Sequence, residues 1–306
     1  MLKDRILSTL EFFNLQDYPL TLLELHRFLI TDVSNLKDNL DNQGELLSGE
    51  LVPAAFVPID KILECLDNEC KNEVQNHLGF YYLAGRQVIV DNRLHNYFYG
   101  IQREKLIKRY IGGLKYLPFV RAAALAGSQA MGQQKKTSDI DLLIITAPGF
   151  LWLARTLVTA YLQVVGKRRH GQKIANRFCL NHYLAGAKVL DNDRNLYTAC
   201  EYLKLRPLVF SNAVWEFQKN NAAWIKFCFP NADFLEAEKH KPPSTQIVLE
   251  KLFNGKFGLW LERLLKNWQM ARIRRQKFIV VEEDELSFHP HNRKDNLFKS
   301  FFQEQV

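Results

Sequence analysis

The sequence predicts an α+β multidomain protein with an N-terminal winged helix-turn-helix, a central α/β core and a mainly helical C-terminal region. Three amphipathic runs precede a hairpin signal, strand patterns then alternate with helical patterns, and helical periodicity dominates after Asn195. These observations place the domain boundaries at residues 1–92, 93–190 and 191–306.

The N-terminal part has the element order of a winged helix-turn-helix. Residues 4–13 predict the first helix, Thr21 marks the start of the second, and residues 59–68 predict the third. Between the second and third helices, residues 32–58 lack a clean period and predict an irregular insertion. Two β-rich runs on either side of Ala84-Gly85 predict a closing hairpin.

Two functions are open for this module. The third helix and the wing of such a module can bind nucleic acid. The third helix here, "IDKILECLDNEC", carries more acidic than basic residues, which favours a protein-docking or dimerising role.

The central part alternates strands and helices. Residues 93–115 predict a long basic helix, and residues 149–166 predict a second helix. Strands are predicted over residues 118–127, 139–146 and 177–185.

The C-terminal part is predicted to be mainly helical, with one short strand over residues 277–283. Four tryptophans in this part recur at helical spacing beside Leu and Phe, and we expect them in packed cores: Trp215, Trp224, Trp260 and Trp268.

Composition limits the classes of partner. The net charge of +8 favours a polyanionic partner, so we expect RNA, DNA, a nucleotide or an acidic protein at basic surfaces.

The five cysteines have no CxxC spacing, which predicts reduced thiols. The apolar runs are too short to span a membrane, and the first twenty residues lack the apolar core of a signal peptide. We therefore expect a cytoplasmic protein without a membrane partner.

Two acids at the start of an apolar strand indicate a metal site. Asp139 and Asp141 share one face of the predicted strand, and two such carboxylates repel each other unless a cation lies between them. Their oxygens suit Mg²⁺ or Mn²⁺, which also binds substrate phosphates. Gly127 ends the preceding strand and Ser128 begins a predicted short helix, so the pair provides a candidate phosphate cradle. Lys136 in the intervening loop either reaches phosphate or is solvated.

This pattern carries a family resemblance. Gly-Ser, ten residues and then Asp-Ile-Asp within "TSDIDLLIIT" resembles the nucleotidyltransferase (DNA polymerase β-like) superfamily, over about residues 100–190. The chain is also similar to uncharacterised bacterial nucleotidyltransferase-domain proteins in three further segments: "DYPLT" at 17–21, "LWLAR" at 151–155 and "CLN" at 179–181.

The resemblance implies a polymerase-β-like core and a metal-dependent transfer of an NMP from an NTP, such as ATP, to an acceptor. The acceptor class stays open among RNA, a protein hydroxyl and a small molecule. In this reading Gly127 and Ser128 hold the β- and γ-phosphates, and the catalytic Asp139 and Asp141 ligate Mg²⁺ (or Mn²⁺).

The family commonly has a third carboxylate on the next strand. Alternation along residues 177–185 predicts Cys179, Asn181 and Tyr183 on one face, so the equivalent residue here is the neutral Asn181. An amide cannot accept the proton of a hydroxyl nucleophile. Two explanations are open: another acid supplies this role, or the chain is a catalytically weak or inactive nucleotide-binding module that binds nucleic acid or protein. The acids considered are Asp191, Asp193, Glu201 and the run 282–285.

Overall fold

The computed structural model describes residues 1–41, 44–47, 49, 51–190, 192–234, 236–237, 240–273, 280–288 and 300–302. These residues form a mixed α/β architecture with two β-sheets, which agrees with the predicted α+β class. The winged-helix and polymerase-β-like subdivisions stay predictions. Within the described ranges, no helix combines the length and the apolarity needed to cross a bilayer.

The N-terminal part packs helices against a small antiparallel sheet of order β1-β3-β2. Its second helix begins with a capping box, because Thr21 accepts from the Glu24 N–H and the Glu24 carboxylate accepts from the Thr21 N–H. The elements in chain order are α1 (Leu2–Asn14), β1 (Leu20–Thr21), α2 (Leu22–Arg27), α3 (Val33–Asp38), α4 (Ile59–Asn68), β2 (Val74–His77) and β3 (Phe80–Leu83).

The N-terminal hairpin is present, but the sequence predicted its turn at the wrong position in the chain. The turn lies at Leu78-Gly79, where both residues have positive φ (54° and 79°), as a tight two-residue hairpin turn requires. The β-branched run after Gly85 begins the long helix α5 (Val88–Ile111) instead of a second strand. The predicted boundary at residue 92 therefore falls inside a helix, and α3 occupies part of the predicted irregular insertion.

The central sheet has the order β7-β4-β5-β6-β9-β8 and is antiparallel except for the β5–β6 pair. The three strands predicted in the core form its middle. The strands are β4 (Val120–Leu125), β5 (Ile140–Thr146), β6 (Phe178–Ala185), β7 (Arg206–Val209), β8 (Val280–Val281) and β9 (Glu285–Ser287).

Both faces of the central strand β5 are buried. Ile140 and Ile144 pack into one hydrophobic cluster, whereas Leu143 and Ile145 pack into another that also contains Phe13 of α1. One core therefore continues from the N-terminal helices to the sheet. Strands β7 and β9 come from beyond the predicted boundary at residue 190, yet they pair with β4 and β6. The sheet therefore contains strands from both the predicted core and the predicted C-terminal part.

The remaining helices surround the sheet. A 3-10 turn over Gly112–Tyr116 links α5 to β4. The helices are α6 (Gly127–Ala130), α7 (Leu151–Val164), α8 (Leu196–Leu203), α9 (Ser211–Asn220), α10 (Ala222–Cys228), α11 (Ser244–Phe253) and α12 (Lys256–Ile273).

The tryptophans of the C-terminal part do not share one environment. Trp224 is buried, as predicted, and Trp215 is partly buried. The prediction is wrong for Trp260 and Trp268, which lie exposed on α12. Helical spacing alone does not tell which face of a helix the protein covers.

Candidate functional site

Two neighbouring antiparallel strands bring the acids and the Gly-Ser pair together. β4 ends at Leu125, which pairs with Leu142 of β5, and the Ala126 N–H donates to the Asp141 carbonyl at 3.1 Å. Gly127 then turns the chain with a φ of 56°. The positive φ favours glycine, and a Cβ at this position would lie 2.7 Å from Asp141 Oδ2, so a side chain here would also displace the Asp141 carboxylate.

Asp141 is held in an environment that disfavours its charge. Burial, and after it the nearby charges of Asp139 and Glu201, raise the pKa of Asp141 to about 7. A hydrogen bond of 2.8 Å from Asn181 Nδ2 to Asp141 Oδ1 opposes this shift but does not overcome it. The site therefore holds a carboxylate whose negative charge is only partly compensated.

Asp139 has a cationic partner. Arg169 Nη1 donates to Asp139 Oδ2 at 2.6 Å and to the Cys179 sulfur at 3.3 Å. Burial raises the pKa of the Cys179 thiol to about 12, so this group stays protonated at neutral pH. Asp139, Asp141 and Cys179 offer ligand atoms within 4.8 Å of one another. The two carboxylates are the members of this group that suit a hard cation.

These residues line an open cavity of about 400 Å³. Its walls come from the N-terminal part, the sheet and the C-terminal part of the chain. The lining residues are Gln16, Gly127, Ser128, Met131, Gln133, Ser138, Asp139, Asp141, Arg169, Cys179, Asn181, Tyr197, Glu201 and Phe288.

Most of the predicted site residues meet at this cavity. Those that line it are Gly127, Ser128, Asp139, Asp141 and Asn181. Lys136 is exposed in the loop before β5 and lies outside the lining, and its carbonyl accepts from Arg103 at 3.1 Å.

Of the acids considered for the third position, Glu201 on α8 lines the cavity. Asp193 accepts from the Asn195 side chain at 2.9 Å, next to the start of α8. Glu282 and Glu285 bond to Lys188 and His182 respectively. Asp191 lies outside the described residues.

Strand β6 carries a bulge that alters its predicted alternation. Asp141 pairs with Cys179, but Leu143 pairs with His182, so β6 has one residue more than β5 between the two pairs. Cys179 and Asn181 face the cavity together, as predicted. The predicted facing is wrong beyond this point, because Tyr183 packs into the cluster of Phe178 on the other face.

Arg169 and Glu201 also line the cavity, and the signals for them in the sequence are weak. Arg169 belongs to a basic run, "GKRRH", that also fits a solvated loop, and Glu201 lies in an ordinary helical pattern. Both are far along the chain from the two aspartates, and no spacing rule links them.

Comparison with protein-family models, curated proteins and solved structures gave no match to this chain. The geometry and the chemistry of the cavity are therefore the basis for a functional proposal.

Proposed function

We propose that the chain is a metal-dependent nucleotidyltransferase, which moves an NMP from an NTP such as ATP to an acceptor. In this reaction an acceptor oxygen forms a bond to the α-phosphorus, and the bond from that phosphorus to pyrophosphate breaks. RNA, a protein hydroxyl and a small molecule are the acceptor classes that fit the chemistry.

One observation carries this proposal: a pair of carboxylates and a Gly-Ser turn line the same cavity. Gly127 is in contact range of the Asp141 carboxylate, so a phosphate bound at the turn would lie beside the two acids. Ser128 lines the cavity, and a serine hydroxyl can donate a further hydrogen bond.

The donor set fits Mg²⁺ or Mn²⁺. Asp139 and Asp141 would hold the ion, because hard cations take carboxylate oxygens, whereas the protonated Cys179 thiol is a poor ligand for them. A bound ion would neutralise charge that develops on the phosphoryl oxygens. Arg169 already compensates Asp139, so an ion at Asp139 Oδ2 would compete with this arginine.

Glu201 is the residue that we assign to proton removal from the acceptor. Asn181 occupies the position where a third carboxylate is expected, and its amide has no proton-accepting role at neutral pH. Glu201 lines the cavity and adds to the negative potential at Asp141. A carboxylate within the same cavity can act as a general base.

A second candidate is a nucleotide-binding module that turns over weakly or not at all, and that binds nucleic acid or a protein partner. The observation that favours it is the hydrogen bond from Asn181 Nδ2 to Asp141. An amide in this place stabilises the acid pair without supplying a base.

Pyrophosphate release distinguishes the two candidates. The protein is incubated with each NTP and Mg²⁺ or Mn²⁺, with and without bulk RNA, and compared with Glu201→Gln. We expect release by the parent and a rate lowered about 100-fold in Glu201→Gln, within the range that a general base contributes. The binding-module candidate predicts stabilisation of the parent by NTP and metal without any release.

A further inference from the structure

Helix α12 exposes a stripe of large apolar side chains. Phe257, Trp260, Leu264 and Trp268 are 59%, 58%, 49% and 60% exposed. Their spacing of three, four and four residues places them on one side of the helix. A surface helix normally turns such a stripe toward the core.

The opposite side of α12 is fixed to the protein by polar groups. The buried Glu262 carboxylate accepts from the N–H groups of Trp152 and Leu153, at 2.8 and 2.6 Å, where α7 begins. The buried Gln269 donates to the Trp152 carbonyl at 3.2 Å. The bonds to Glu262 satisfy two N–H groups in the first turn of α7, which have no partner within that helix. Rotating α12 to bury its apolar stripe would leave these N–H groups without partners.

Helix α11 ends just before α12 in the chain, contacts the start of this stripe and exposes further apolar side chains. The rings of Phe253 and Phe257 stack at 6.2 Å, and those of Phe257 and Trp260 stack at 5.9 Å. Val248 and Leu252 are exposed on α11 as well. We call the surface made by Val248, Leu252, Phe257, Trp260, Leu264 and Trp268 the apolar face. Large apolar patches of this kind mark interaction sites.

The charge on the two helices is positive. Lys251, Lys256, Arg263 and Arg272 are exposed there. The acids of the same helices are engaged within the protein, because Glu250 bonds to Arg121 at 2.6 Å and Glu262 bonds to α7. The apolar face is thus flanked by cations without an exposed acid on α11 or α12.

We propose that the apolar face binds the surface of an anionic lipid bilayer, with α11 and α12 lying in the plane of the interface. Aromatic and leucine side chains enter the headgroup region, and flanking Lys and Arg side chains pair with lipid phosphates. This mode of binding needs no spanning segment, so it is compatible with the lengths of the helices. It departs from the expectation, drawn from the sequence, that the chain has no membrane partner. It is independent of the proposed nucleotidyl transfer.

A second copy of the chain is a poorer occupant. In a two-fold dimer the same patch meets itself, so the cations that flank the apolar face of one copy would approach those that flank the apolar face of the other. Like charges in such a contact repel, whereas an anionic lipid surface attracts them.

The test is cosedimentation of the full chain with vesicles. One set is phosphatidylcholine alone, and the other is an equimolar mixture of phosphatidylcholine and phosphatidylglycerol. We expect binding to the anionic vesicles, with a blue shift of tryptophan emission, and weakening by added salt. Absence of binding to anionic vesicles at low salt overturns the proposal.

Two double variants separate the apolar and ionic contributions. Trp260→Ser with Trp268→Ser should abolish the blue shift and the binding. Lys256→Gln with Arg263→Gln should weaken partitioning about fivefold for each cation removed. Lys61→Gln with Lys71→Gln is the matched control, because both residues are exposed on or just after α4, and it should bind like the parent.

Each variant is first checked for an unchanged far-UV spectrum, which surface positions should preserve. Binding that the tryptophan variant leaves intact would overturn the proposal. A second outcome would also overturn the proposal: the parent does not bind vesicles but forms a dimer in solution, and the tryptophan variant dissociates that dimer. A second copy of the chain would then occupy the apolar face.

Discussion

At the residue scale, the two acids of the cavity differ in their surroundings. Asp139 bonds to Arg169, whereas Asp141 faces Gly127 and accepts from Asn181. The ordinary pKa of an aspartate is 3.8, and that of Asp141 is about 7. A bound cation would therefore stabilise the ionised form of Asp141 more than that of Asp139, which already has Arg169 as a partner.

The first prediction concerns Asp141→Asn in metal-free protein. The folded protein binds the Asp141 proton more tightly than the unfolded chain, so this residue costs stability as pH rises from about 4 to about 7. Asparagine lacks this cost and still accepts the bond from Asn181. With a chelator present, we expect Asp141→Asn to melt above the parent, by a margin that is larger at about pH 8 than at about pH 5. A margin that does not grow with pH would contradict the assigned environment.

The second prediction concerns Asn181→Asp. This change replaces the donor to Asp141 with a third carboxylate, so it should lower the melting temperature of the metal-free protein. Mg²⁺ with NTP should reduce or reverse that loss, and pyrophosphate release should rise because a proton acceptor is added. The control Asn181→Ala loses the same bond without adding charge, so it should show no metal-dependent recovery. Equal behaviour of the two variants would rule out Asn181 as a metal-facing residue.

At the element scale, one carboxylate joins α2 to α5. Glu24 caps α2, accepts two hydrogen bonds from Arg93 of α5 at 2.7 and 2.8 Å, and accepts from the Tyr18 hydroxyl at 2.8 Å. Burial alone would raise the pKa of Glu24, but the bonds and charge of Arg93 outweigh burial and lower it to about 2. This cluster fixes the N-terminal helices on the long helix.

The third prediction concerns Glu24→Gln. Loss of the charge-assisted bonds to Arg93 should lower the free energy of unfolding by about 2 kcal/mol at neutral pH. In the parent, the contribution of Glu24 is present above pH 4.5 and should be lost as pH falls toward about 2. Urea unfolding across that range measures both effects. The control Glu64→Gln removes an exposed pair with Lys61 and should change stability little. A similar loss of unfolding free energy in both variants would contradict the stabilising role assigned to the bonds between Glu24 and Arg93.

The elements that the sequence predicted best are those with long, unbroken patterns. β4, β5, β6 and α7 follow apolar runs bounded by turn residues, and all four are present. β7 and β9 were missed because each has four residues or fewer, and their neighbours in the sheet are remote in sequence. The run after Gly85 is β-branched, yet it is the first turn of α5, since packing overrides propensity.

At the scale of the whole molecule, the cavity lies where the three predicted parts of the chain meet. Gln16 comes from the N-terminal part, Asp139 and Asp141 come from the sheet, and Glu201 and Phe288 come from the C-terminal part. The sequence predicted the acid pair and the Gly-Ser turn because a short loop joins them. It did not select Arg169 or Glu201, because only the tertiary fold brings these residues to the aspartates.

The proposed function requires Asp139 and Asp141 to bind a divalent cation together with a nucleotide. A thermal-shift titration with Mn²⁺ and ATP tests this requirement on the parent, on Asp139→Asn with Asp141→Asn, and on the control Asp38→Asn, which is exposed on α3. The parent and the control should be stabilised by Mn²⁺ and ATP together, and the double variant should not, because it lacks both carboxylates. If the double variant is stabilised as much as the parent, the two aspartates are not the metal site.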